Sequence, residues 1–143
     1  MSSMARGFVL VLLLLCILGC HRSRNFAGTW NIRIEGLSRT SPIVFNPDGT
    51  LVIEGGGQGG NDGGIKTRIE GRWHAVGDEL YMMLLTIKAT DPSGQPTAES
   101  ENAEKAMKAN YPLRQEYQQK TTWTSDNEFT SDNNGLVTTY TRG

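Results

Sequence analysis

The chain has 143 residues, a formal net charge of −1 with acids and bases interspersed, and two cysteines, Cys16 and Cys20. The length is that of one domain, and the charge pattern excludes the basic footprint of a nucleic-acid binder. Both cysteines lie in the amino-terminal segment, so the remainder has neither a disulfide framework nor a cysteine nucleophile.

Arg6 precedes an unbroken apolar run over residues 8–18, and Gly19 and Cys20 follow it. A helix needs about 20 residues to cross a bilayer, so this run is too short. It reads as the apolar region of an export signal. Ile17-Leu18-Gly19-Cys20 resembles the lipobox of bacterial lipoproteins, with an aliphatic residue three before the cysteine and a small one just before it. That resemblance implies removal of residues 1–19, a diacylglyceryl thioether and an acylated amine on Cys20, and a mature chain held at a membrane outside the cytoplasm. Each buried methylene contributes about 0.8 kcal/mol, so two or three acyl chains make a lasting anchor. His21 stands where enterobacteria-like inner-membrane lipoproteins carry Asp, which favours the outer membrane. Residues 20–25 then form a short polar tether, and residues 26–143 form one domain.

From Phe26 onward the dominant signal is period two, which places alternate side chains on one face of a strand. Trp30, Ile32 and Ile34 alternate with polar residues as a half-buried first strand. Residues 43–46 and 50–54 follow as a hairpin, because Asn46-Pro47-Asp48-Gly49 fits a type I turn. Residues 65–75 put Ile65, Thr67, Ile69, Gly71, Trp73 and Ala75 on one face and Arg72 and His74 on the other. Residues 80–87 are apolar on both faces and read as the most enclosed strand. After a loop at 91–96, residues 98–110 are the one helical candidate, with Ala103, Ala106, Met107 and Tyr111 on one face and Pro112 as the stop. Alternation resumes over residues 113–124 through Leu113, Gln115, Tyr117, Gln119, Thr121 and Trp123. Residues 127–131 and 136–142 close the chain as a hairpin around Asn134-Gly135. The expectation is an all-β domain of about eight strands with one helix between the fifth and sixth.

Phe26-Ala27-Gly28-Thr29-Trp30 resembles the Gly-x-Trp opening of lipocalin-like (calycin) barrels, and Arg142 stands where those barrels place an Arg against that Trp. Val44-Phe45-Asn46-Pro47-Asp48-Gly49-Thr50, Gly71-Arg72-Trp73 and Gly77-Asp78-Glu79-Leu80 resemble phrases of small bacterial lipoproteins of the same type. The resemblance implies an up-and-down barrel with Trp30 plugging one end under Arg142. The chain departs from the larger lipocalins in lacking a Thr-Asp-Tyr motif and in placing its helix inside the strand series. A closed barrel and a strongly bent open sheet are therefore alternatives.

Residues 55–64 hold seven glycines. Gly55 to Gly60 formally matches G-x-G-x-x-G, but a strand follows where a dinucleotide site needs a helix, so a hairpin loop is the reading. His74 is the one histidine after Phe26 and falls on a polar face, while Asp48, Asp62 and Asp78 fall in turns. Neither arrangement assembles a catalytic set. Trp30, Trp73, Tyr117, Trp123 and Tyr140 are the candidate lining of a ligand cavity, alongside the polar Thr67, Gln115, Gln119 and Thr121 on otherwise apolar faces. The expected function is a non-enzymatic binding module for a small apolar or amphipathic molecule, with no cofactor or metal. The alternative is a structural or protein-interaction lipoprotein of the envelope whose barrel is filled.

Overall fold

The structure, a computed structural model, describes residues 24–36, 40–56, 64–133 and 135–143. The signal segment, Cys20, Asp62, Asn134 and most of the Gly-rich loop lie outside these residues. The described elements are β1 (Gly28–Ile34), β2 (Thr40–Phe45), β3 (Thr50–Gly56), β4 (Lys66–Val76), β5 (Glu79–Thr90), α1 (Ala98–Asn110), β6 (Glu116–Ser125), β7 (Glu128–Asn133) and β8 (Leu136–Arg142). The strands pair antiparallel in chain order, and β8 returns to β1 through Trp30↔Arg142 and Ile34↔Thr138. The barrel is thus closed, which removes the open-sheet alternative and leaves no edge that runs its full height.

Turn chemistry and period two produce this ladder. In the β2–β3 hairpin Gly49 N donates to Asn46 O (3.0 Å) and Thr50 N donates to the Asp48 carboxylate (2.9 Å). One inward row, Trp30↔Ile43↔Ile53↔Ile69↔Ile87, crosses five strands. Arg68 and Glu70 on β4 point outward between these positions and bond each other. The β4–β5 register shifts between Glu70 and Gly71, and a Cβ on Gly71 would lie 2.2 Å from the Met83 carbonyl oxygen. Only glycine lets the two strands cross there.

One seam is short. β5 pairs with β6 only from Glu79↔Lys120 to Met83↔Glu116, so residues 84–90 of β5 overhang without a strand neighbour on that side. The helix covers this edge. Glu104 accepts from Ala89 N (3.1 Å), and Arg114 N donates to Leu84 O (2.8 Å) with Arg114 at φ +61°. That conformation stops the alternation expected from Leu113, so β6 begins at Glu116 and Gln115 lies exposed outside the strand. The covering face of α1 is also not the one that simple apolar spacing selects. Ser100 is fully buried, Ala103 and Met107 are half-buried, and Ala106 and Tyr111 are exposed. Thr97 caps the helix by accepting from Ser100 N, while the Ser100 hydroxyl accepts from Thr97 N. Ser100 therefore belongs to a capping box and sits under the helix start for that reason.

Candidate functional site

The two ends of the barrel differ in construction. Residues 24–27 and the turns at 46–49, 77–78 and 126–127 mark one end. Gly28, at φ +125°, turns the chain into β1 so that Trp30 points inward and is fully buried. The Trp30 indole N–H donates to Phe26 O (2.7 Å), and the Arg142 guanidinium lies 4.1 Å from the ring centroid. Arg142 also donates to Ala27 O (3.1 Å) and Asn25 O (2.9 Å), which ties the entering chain to the last strand. A side chain on Gly28 would meet that guanidinium at 2.9 Å. Phe26, Trp123 and Phe129 complete the plug, with ring centroids 4.7–5.2 Å apart. Tyr140 stacks on Phe129 at 4.3 Å, and its burial pushes the phenol up to about 12. This end is sealed.

The other end is where β1 finishes at Ile34, β2 starts at Thr40, β3 finishes at Gly56 and β4 starts at Lys66. Ile32, Ile53 and Ile69 belong to the inward set and pack against the core, yet each stays partly exposed. Solvent therefore reaches part of the inward face at this end. The lumen is apolar with scattered hydroxyls. A Cβ on Gly55 would lie 3.0 Å from Thr67 Oγ1 and 3.5 Å from Ser41 Oγ, so both hydroxyls converge on the bare backbone at that point. Ser131 and Thr138, a cross-strand pair, add two more on the facing wall. The inward positions described in this half carry no charge.

The sequence-derived candidates divide between the two regions. Trp30 and Trp123 are packing in the plug, and Trp73, half-buried against Phe45 with its N–H on Asn46 O (2.9 Å), is also at the sealed end. Tyr140 lies one layer above the plug and bonds Gln119 (3.3 Å). Tyr117 sits beside α1, donates to Pro112 O (3.0 Å), and has its phenol pKa raised by burial. Thr121 is buried and satisfied by Asp78 O (2.7 Å), so it needs no water or ligand. Gly28, Trp30 and Arg142 form the motif that the resemblance implies. The residues that sequence reasoning passed over are Ile32, Ile53, Ile69 and Ser41 at the open end and Glu104 at the seam. The isoleucines had a signal in their alternation, but aromatic size drew the choice elsewhere.

His74 is exposed on the outer wall and stacks on Tyr81 at 4.5 Å. Asp48 and Asp91 are held below the usual carboxylate range by the Thr50 and Ser93 hydroxyls, followed by backbone N–H groups of the same turns. These carboxylates shape turns. Among the described residues no group of three His, Cys, Asp or Glu could hold a metal ion. A groove of about 620 Å³ beside the open end is lined by the outward Glu54, Lys66, Arg68 and Lys88 together with Gly55 and Thr67, and Arg68 is engaged by both Glu54 and Glu70.

Comparison with known proteins locates this architecture. The sequence matches no family profile and no curated protein. A lipocalin-like protein from Bacteroides uniformis ATCC 8492 superposes with a TM-score of 0.50 at 17% identity, covering 82% of this chain and 97% of that one. An uncharacterized protein from Bacteroides eggerthii DSM 20697 gives 0.50 at 14% identity, covering 83% and 100%. At these identities the likeness is one of fold, and this chain is itself a closed eight-stranded antiparallel barrel with a helix between its strands five and six.

Proposed function

We propose that this chain is a membrane-anchored, extracytoplasmic, non-enzymatic binding module that takes a small uncharged apolar or amphipathic molecule into the open end of its barrel. The supporting observation is the pairing of a sealed end with partly exposed inward isoleucines and hydroxyls at the other. Such a lumen offers area to an apolar body and hydrogen bonds to a neutral polar group. It offers no counter-charge to an ion, whose transfer out of water would be costly. The lipocalin-like barrel is a scaffold suited to this role, and the lipobox at Cys20 supplies the anchor. In this reading the ligand contacts move from the tryptophans to Ile32, Ile53, Ile69, Ser41 and Thr67.

The alternative, a filled barrel that meets an envelope protein, draws on the aromatic packing of the sealed half. Titration with the neutral probe N-phenyl-1-naphthylamine separates the two. The binding module predicts saturable, blue-shifted fluorescence with one site, lost in Ile69→Trp and kept in His74→Ala. No saturable binding, or binding that survives Ile69→Trp, sinks the ligand reading. Mass measurement of the mature chain tests the anchor: an amino terminus at an acylated Cys20 supports it, and an unmodified Cys20 removes it.

A further inference from the structure

We infer that the sealed end of the barrel rests on the headgroup surface of the membrane that holds Cys20, so that the open end faces the aqueous compartment. The inference rests on the anchoring reading above and adds an orientation and a route for the ligand. Residues 24–27 are fixed at the sealed end: Phe26 is buried in the plug, Arg142 bonds Asn25 O and Ala27 O, and Arg24 lies 5.5 Å from the Trp123 ring centroid. Arg24 is four residues after Cys20, a separation that spans at most about 14 Å. The wall beside the tether is taller than that. The seven residues of β1, rising about 3.3 Å each and tilted by about 40°, give roughly 18 Å. Turning the open end toward the anchoring membrane would require the tether to run the height of this wall, more than its full reach.

The surface at the sealed end suits a headgroup layer. Val76, in the β4–β5 turn region, is 64% exposed, the largest exposure among the big apolar side chains described. Beside this turn a groove of about 430 Å³ is lined by Arg24, Pro47, Asp48, half-buried Trp73 and His74, with Arg24 paired to Asp126 (3.7 Å). An exposed apolar tip with an indole alongside is a mixture that settles at a membrane interface. It follows that ligand enters and leaves through water or from an opposing surface, without contact between the barrel mouth and its own bilayer.

Site-directed fluorescence tests the orientation. The full-length chain, purified from membranes, is placed in phosphatidylcholine vesicles that carry a nitroxide-headgroup phospholipid as quencher. A fluorophore is attached at Val76→Cys in one variant and at Leu136→Cys, on the open-end rim, in another. Both positions are exposed, and an acylated Cys20 leaves the introduced cysteine as the free thiol. The expected result is quenching at position 76 at least threefold stronger than at position 136. Equal quenching, or stronger quenching at 136, in a chain that floats with the vesicles overturns the orientation alone. A chain that neither floats nor carries acyl mass overturns the anchor and the orientation together.

Discussion

The sealed and open ends of the barrel are made from the same period-two pattern, yet they solve opposite problems. At the sealed end, Phe26, Trp30 and Phe129 are at most 2% exposed, and the polar atoms that come inside with them find partners on Phe26 O, Ala27 O and Asn25 O. At the open end, Ile32, Ile53 and Ile69 face inward with no side chain covering them completely. The difference teaches that close packing and accessible apolar surface are separated along the barrel axis. One end supplies the buried area that holds the fold, and the other keeps its apolar surface available.

The sharpest way to break this comparison is to empty the plug. Trp30→Ala removes the largest fully buried side chain and should cost about 4 kcal/mol, read as a large fall in the denaturation midpoint; a loss under about 1 kcal/mol would mean that the plug does not carry the fold. Alkaline titration probes the layer above it. Burial holds the Tyr140 phenol neutral until about pH 12, whereas in the unfolded chain it ionises near pH 10. Its folded pKa is raised, so its contribution is complete below pH 10 and is lost as pH climbs toward 12, by about 3 kcal/mol. Absorbance at 295 nm should therefore show one of the four tyrosines ionising only with unfolding.

Gly28→Ala should cost about 2 kcal/mol, since it puts a side chain at φ +125° and against Arg142. Calorimetry checks this, and a neutral effect would show that Arg142 can move away freely. At the other end Ile69→Ala should cost only about 1 kcal/mol, because its side chain is already partly solvated, while weakening probe binding several-fold. If Ile69→Ala destabilised the protein as much as Trp30→Ala, the two ends would not differ in the way described.

Much of this fold was legible in the residues because local signals agreed with one another. The alternation through Trp73 placed β4, the Asn46 to Gly49 turn placed the first hairpin, and Gly28, Trp30 and Arg142 marked where the barrel joins itself. Closure was legible only through the resemblance carried by that motif, because the Trp30↔Arg142 pairing joins residues at opposite ends of the folded domain and no local pattern encodes it. The register of β6 was missed for a different reason. Arg114 adopts a left-handed conformation fixed by its bond to Leu84 O, a tertiary contact that spacing does not reveal. No spacing signal singles out Glu104, yet its carboxylate accepts from Ala89 N at the overhanging edge of β5 and from Lys108 (2.8 Å). Of the candidate lining, alternation placed Trp30, Trp73, Tyr117, Trp123 and Tyr140 on inward faces, but it did not reveal that Gln115 falls outside β6 or that Trp30 and Trp123 pack into the plug.

Thiol reactivity at two inward positions tests the separation of the ends most directly. Ile69→Cys and Leu51→Cys are neighbours on the inner wall, one at a partly exposed position and one fully buried. Over and above the parent chain, a small water-soluble maleimide should modify Ile69→Cys within minutes under native conditions and leave Leu51→Cys unreacted until denaturant is added. Equal protection of both thiols would mean a filled barrel and would contradict the account.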